Sequence, residues 1–136
     1  MCAVMKLASH VLLIDDNPDC NFIMREFIRM MDDGIAVSQV ESAKQAEELL
    51  AGASDFPDVI FVDINMPIID GFAFVQGFQE RYGVTHSTKL YMLSSSVREE
   101  DIDKAASFPA VHGFISKSDI DANLKNALMG SLLERV

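Results

Sequence analysis

The chain has 136 residues, 49% hydrophobic and 24% charged, which suits one domain with a buried core. Its 21 acidic and 11 basic side chains give a formal charge of −10, and the basic residues are scattered. That balance argues against binding a nucleic-acid backbone, and no apolar run reaches the ~20 residues of a membrane span.

Strand-like and helix-like patterns alternate five times. Strand one is expected at 10–14, carrying Val11-Leu12-Leu13-Ile14. Helix one follows at 18–32, capped by Asn17 and opened by Pro18, whose missing N–H costs nothing in a first turn. Ile23, Phe27, Met30 and Met31 recur at helical spacing and read as its inward face. Strand two is expected at 35–40. Helix two opens at Ser42, in a capping box with Gln45, and carries Ala46, Leu49 and Leu50 before Gly52.

Strand three spans 58–63, and helix three spans 71–81, beginning at Asp70-Gly71. Strand four spans 89–94. Helix four is expected from Ser96, with Glu99 at the capping-box position, to Ser107. Strand five spans 112–116. Helix five starts at Ser118, where Asp119 and Asp121 suit the positive end of the dipole, with Ile120, Leu124, Ala127 and Leu128 facing inward. Four of the strands are short runs of Val, Ile, Leu or Phe, the pattern of strands covered on both faces. The order is that of an α/β parallel sheet with helices on both sides.

Four of these strands end in polar groups: Asp15-Asp16, Asp63, Ser94 and Lys117. In an open α/β sheet those ends meet at one edge, where such folds keep their sites. Each residue has an ordinary reading of its own. Asp15-Asp16 could cap helix one, Asp63 could bond nearby N–H groups, Lys117 could be a solvated lysine, and of the serines Ser94 to Ser96, Ser95 reads as a plain loop residue and Ser96 as a helix cap. Chance explains the four together far less easily. Two carboxylates ~4 Å apart repel by about 4 kcal/mol at an effective dielectric near 20. Such a cluster takes up protons or binds a hard cation, and Mg²⁺ suits oxygen ligands of this kind. Asp63 could attack a phosphoryl group to give an acyl phosphate, Ser94 could donate to its oxygens, and Lys117 could offset charge.

At this point the chain resembles the receiver domains of two-component response regulators, in the single-domain layout of the chemotaxis type. The matching stretches are Leu12-Leu13-Ile14-Asp15-Asp16-Asn17, Val62-Asp63-Ile64-Asn65-Met66-Pro67-Ile68-Ile69-Asp70-Gly71, Met92-Leu93-Ser94-Ser95 and Gly113-Phe114-Ile115-Ser116-Lys117. The resemblance implies a (βα)5 flavodoxin-like, doubly wound five-stranded sheet in the order 2-1-3-4-5. It divides the chain into an extension, 1–9, and a receiver domain, 10–136, with no output domain. It makes Asp63 the phosphoacceptor and a metal ligand, with Asp16, Asp15 and the backbone carbonyl of Asn65 completing the Mg²⁺ site. Ser94 becomes the switch hydroxyl, Lys117 the phosphate contact and Phe114 the switch aromatic. Asn65 and Ser96 match positions that tune dephosphorylation.

The implied function is a phosphorylation switch. A sensor histidine kinase or histidine phosphotransfer protein donates to Asp63, and the face of helix four, strand five and helix five changes. The domain phosphorylates and dephosphorylates itself but is no enzyme toward an outside substrate. It is expected in the cytoplasm, as a monomer or phosphorylation-dependent homodimer, with no nucleic-acid or membrane partner. The alternative is a receiver-fold protein-binding module that works unphosphorylated.

Two departures stand out. The family usually has Lys-Pro with a cis bond where this chain has Lys117-Ser118. A cis bond to a non-proline costs about 2.5–4 kcal/mol, so a trans bond is expected. The segment Ser107-Phe108-Pro109-Ala110-Val111-His112 replaces the short Gly-Ala turn common before strand five.

Other readings fit less well. An aspartyl phosphatase of the haloacid-dehalogenase kind wants a general acid two residues after its nucleophile, where Asn65 stands. A flavodoxin-like electron carrier wants a Ser, Thr and Gly-rich phosphate loop where Asp15-Asp16 stand. Cys2 and Cys20 form no CxxC pair and are expected away from the polar edge, and no signal-peptide cleavage site precedes strand one. His10, His86 and His112 show no metal-ligand spacing, and Met30, Met31 and Met92 are expected in the core.

Overall fold

The computed structural model describes residues 9–66, 68–83, 88–95 and 98–120. Within it run β1 (His10–Ile14), α1 (Pro18–Met31), β2 (Ala36–Val40), α2 (Ala43–Ala51) and β3 (Val59–Asp63). They are followed by α3 (Gly71–Tyr82), β4 (Lys89–Ser94), α4 (Glu99–Ala106), β5 (Val111–Ser116) and a 3₁₀ turn at Lys117–Asp119. All strand pairs are parallel, in the order β2-β1-β3-β4-β5.

Successive residues of a strand face opposite sides, and the two cores follow from that alternation. Leu12, Ile14, Ile60, Val62, Leu90 and Met92 face α2, α3 and α4, meeting Ala46, Leu50, Phe74, Val75, Phe78 and Ala105. Val11, Leu13, Val59, Phe61, Leu93 and Ile115 face the other side, where Met24 and Ile28 of α1 cover them beside Ile120. Every residue of β1 and β3 is buried, whereas the outer strands β2 and β5 are mostly half-exposed. Full burial of a Leu, Ile or Phe side chain contributes roughly 1.5–3 kcal/mol, so β1 and β3 are the firmest part of the sheet. They carry the acidic residues.

The helix starts follow the capping chemistry, with adjustments. Asn17 accepts from the Asp19 N–H, and Asp70 from the Ala73 N–H at 2.9 Å. Ser42 accepts from Gln45, but the Gln45 side chain reaches back to the Glu41 N–H rather than to Ser42. Helix four begins at Glu99, three residues later than expected, after an Arg98 that makes no side-chain cap. Glu99, Glu100 and Asp101 in its first turn suit the dipole in place of a cap. Ser96 lies outside the described residues, as do Cys2, His86 and the helix-five positions Asp121, Leu124, Ala127 and Leu128.

The inward face of α1 is a correction. Asn21, Met24 and Ile28 are its buried residues, and Phe27 and Met31 pack partly against that core. Ile23 is 49% exposed and Met30 80%. Asn21 explains the rotation. Its side-chain amide donates to the backbone carbonyls of Asp15 and Val40, joining the ends of β1 and β2. A polar residue turned inward to satisfy those carbonyls shifts the helix by part of a turn from its most apolar stripe.

The 107–110 segment packs onto α3. Phe108 stacks on Phe72, Lys104 sits over the Phe72 ring, and the Ala110 N–H donates to Gln79 Oε1 at 2.8 Å. Among the described residues no peptide bond is cis, and Lys117-Ser118 is trans as expected.

Candidate functional site

Asp15 directly follows β1, β3 ends in Asp63 and β4 in Ser94, and Lys117 directly follows β5. The register pairs Asp63 with Leu93 and Ser94 with Ser116, so these ends lie side by side. Asp15, Asp63 and Ser94 are buried, and Asp16 is exposed at the rim. One oxygen from each of Asp15, Asp16 and Asp63 falls within a common span of 4.8 Å.

Lys117 reaches into this group from the far strand. Its Nζ lies 2.7 Å from Asp15 Oδ2 and 3.5 Å from Asp63 Oδ1. The resting ammonium is thus bonded to Asp15 and only near Asp63. The other Asp15 oxygen accepts from the Asn17 N–H at 2.9 Å, and Asp63 Oδ1 accepts a longer bond from the Asn65 N–H at 3.3 Å. Asp63 is the less well satisfied of the two buried carboxylates.

The electrostatics agree. Burial, and then the Asp15 charge, push Asp63 up to about 6, against the opposing pull of Lys117 and the Asn65 N–H. Burial pulls the Lys117 ammonium down, but the bond and charge of Asp15 and the charge of Asp63 more than offset it, and its pKa is raised. A buried carboxylate that protonates this readily has spare demand for positive charge.

Phe114 lies on β5, paired with Met92, half-buried against the α3-side core. Asn65 lies two residues beyond Asp63, on the β3–α3 loop. Gly71 opens α3 beneath that loop, where a Cβ would stand 2.4 Å from the Asp63 carbonyl oxygen and 2.9 Å from Ile64 Cα. Glycine here lets the helix start directly against the strand that carries Asp63.

Cys20 belongs to this neighbourhood, which corrects the expectation that it lies away from the polar edge. Its Sγ is 3.9 Å from Lys117 Nζ. It shares a cavity of about 80 Å³ with Asp15, Ile23, Met24, Leu93, Lys117 and Ile120. Burial raises the thiol pKa, the Lys117 charge lowers it, and the Asp15 and Asp63 charges raise it further, so the neutral thiol dominates. The signal was present in the sequence. Residue 20 is in the first turn of the helix that starts just after the acidic pair. His10, by contrast, is bonded at both ring nitrogens, to the Asp55 carbonyl and Ser38 Oγ, near the opposite end of the sheet.

The sequence model of the response regulator receiver domain matches residues 11–129. The chain belongs to the response regulator receiver family. Among relatives of this receiver, the nitrate/nitrite response regulator NarL of Escherichia coli K12 is 30% identical over 118 residues, 87% of this chain and 52% of NarL. A methylesterase/glutaminase of Methanospirillum hungatei is 34% identical over 71 residues, 52% of this chain but 20% of that protein. The chain thus spans about half or less of these two relatives. A two-component response regulator structure from Cytophaga hutchinsonii superposes at a TM-score of 0.80 with 31% identity, covering 90% of this chain and 95% of that one. The chemotaxis protein CheY4 of Vibrio cholerae shares the fold at a TM-score of 0.71, with 23% identity over 88% and 98% of the two chains.

Receiver domains are signalling modules that interact with histidine kinases or phosphotransfer proteins, and they bind Mg²⁺ at an acidic pocket. Among the described residues no helix is long and apolar enough to cross a membrane.

Proposed function

We propose that this receiver accepts a phosphoryl group on Asp63 from a sensor histidine kinase or a histidine phosphotransfer protein. The observation that carries this reading is the clustering of three carboxylates at the strand ends with one lysine between two of them. Three negative charges against one positive leave the cluster short of a cation, and its donors are all hard oxygens, which fits Mg²⁺. Asp15, Asp16, Asp63 and the Asn65 carbonyl would hold the ion. Mg²⁺ bound there supplies positive charge opposite the oxygens of the transferred phosphoryl group.

The chain's own residues do the rest. An Asp63 carboxylate oxygen attacks phosphorus, the P–N bond to the donor imidazole breaks, and its electron pair stays on that nitrogen. The product is an acyl phosphate. Lys117, already 3.5 Å from Asp63 Oδ1, turns from Asp15 to a phosphoryl oxygen. Ser94 donates its hydroxyl to another. As Ser94 moves, half-buried Phe114 fills the space it leaves, and the face of α4, β5 and the helix expected from Ser118 changes. A partner with unequal affinity for the two states reads the difference. Water later cleaves the acyl phosphate and resets the switch. In this role residues 10–136 act as one cytoplasmic switching unit, a monomer or a phosphorylation-dependent homodimer, with no catalysis toward an outside substrate.

Intact-mass analysis after incubation with acetyl phosphate tests the reading. One added phosphoryl group that requires Mg²⁺ and disappears with EDTA is the expected result. Absence of labelling, with spectra also unmoved by beryllofluoride and Mg²⁺, would replace the switch by a module that binds its partner unphosphorylated.

A further inference from the structure

Asn21 is a polar residue on an apolar face. It is 1% exposed and shares the buried side of α1 with Met24 and Ile28, while Ile23 and Met30 stay in solvent. An amide turned inward in place of large apolar side chains calls for a reason.

Satisfying the strand ends accounts for part of it. The side-chain amide donates to the Asp15 carbonyl at 3.2 Å and to the Val40 carbonyl at 3.1 Å. Yet the Val40 carbonyl already accepts the Asp15 N–H at 3.2 Å, so it has a partner without Asn21. The second bond acts as a brace, clasping the ends of β1 and β2 with one planar group. That group has a fixed base, since the Asn21 N–H donates to the Asn17 carbonyl at 3.3 Å. Asparagine alone offers two N–H donors on so short a stem: aspartate has none, and glutamine is a methylene longer.

The braced group is the peptide between Asp15 and Asp16. A peptide is planar, so holding its carbonyl sets the direction in which Asp16 leaves β1. Asp15 is held at each polar group, its N–H on Val40, its carbonyl on Asn21 and its carboxylate on Asn17 and Lys117. Asp16 is exposed, and what brings its carboxylate within the 4.8 Å span of the other two is the course of its backbone.

We propose that Asn21 is a positioning residue for the cation site, its amide orienting the Asp15–Asp16 peptide so that both carboxylates meet Asp63 around one hard divalent ion; this rests on the Mg²⁺ site proposed above. Mg²⁺ demands near-octahedral geometry, and a small rotation of that peptide moves both carboxylates together. Residues that orient metal ligands from behind typically contribute roughly 10–100-fold in affinity.

The test is a titration of Mg²⁺ into isotope-labelled protein, followed by the NMR shifts of the Asp15, Asp16 and Asp63 amides, beside urea unfolding in EDTA. Asn21→Leu fills similar space without donors. Asn21→Ser keeps a hydroxyl too short to span both carbonyls, and stands in if the leucine variant does not fold. Ile28→Val is the control, trimming a buried side chain further along the same face of α1. All three variants should lose stability, but only the Asn21 variants should need roughly 10–100-fold more Mg²⁺ for half-saturation. Ile28→Val should stay within about twofold of wild type, because it leaves the Asp15–Asp16 peptide braced. Wild-type Mg²⁺ affinity in the Asn21 variants would overturn the proposal. So would an Ile28→Val variant weakened as much, which would assign the effect to a looser helix. A wild-type protein whose three amides do not shift with Mg²⁺ would instead overturn the cation site on which the proposal stands.

Discussion

Asp63, the proposed acceptor, is the worse-satisfied of two buried carboxylates. Asp15 takes the Lys117 ammonium at 2.7 Å and the Asn17 N–H at 2.9 Å, leaving Asp63 the longer contacts. Its pKa near 6 lies above the ordinary 3.8. Between those values the folded protein holds a proton that the unfolded chain has released. This group therefore lowers stability as pH rises from about 4 to about 6, and the cost is fully present at neutral pH. Replacing Asp63 with Asn removes the charge and keeps the shape. Without metal, Asp63→Asn should be more stable than wild type at pH 7 by about 1–3 kcal/mol, the gap closing toward pH 4. Urea unfolding at the two pH values measures it. A gap that stays constant with pH would show that Asp63 is not the strained carboxylate.

At the scale of elements, the site depends on how closely α3 starts beneath β3. A Cβ at Gly71 would meet backbone atoms of Asp63 and Ile64, which cannot swing aside as a side chain can. Gly71→Ala should cost about 1–3 kcal/mol and slow labelling of Asp63, because the shift falls on the backbone of the proposed acceptor. Denaturation and labelling by acetyl phosphate, run on the same variant, check both; a stable variant labelled at the wild-type rate would contradict this. The strand ends and this glycine were legible because each follows a short apolar run or sits at a fixed spacing from one. The phase of α1 was not, since buried Asn21 governs it and a hydrophobic pattern reads an asparagine as outward. The start of α4 was missed for a related reason: a serine with a glutamate three residues on resembles a cap whether or not the helix begins there. Cys20 reaches the polar edge because the first turn of α1 folds back beside the acidic pair, which cysteine spacing alone does not reveal.

Across the whole molecule, charge gathers where the core does not compensate it. The chain carries −10 overall, and three of its carboxylates meet at one sheet edge. A ligand that binds only the folded state stabilises it by mass action, by about 2.7 kcal/mol at one hundred times its dissociation constant. Saturating Mg²⁺ should raise the melting temperature, and EDTA should reverse the rise. Asp16 is exposed, so Asp16→Asn should leave the metal-free protein within about 0.5 kcal/mol of wild type while shrinking the Mg²⁺ effect. Equal Mg²⁺ shifts in both proteins would place the ion elsewhere. The receiver fold explains why Asp15, Asp63, Ser94 and Lys117 converge from separate strands, each ending at the same sheet edge.

The most direct measurement is to locate the phosphoryl group. The protein is labelled with acetyl phosphate and Mg²⁺, reduced with borohydride, which converts an aspartyl phosphate to homoserine, and then sequenced by peptide mass spectrometry. Homoserine at position 63 alone is the predicted result. Homoserine at Asp15 or Asp16, or at no position in a protein that gained phosphate, would contradict the account.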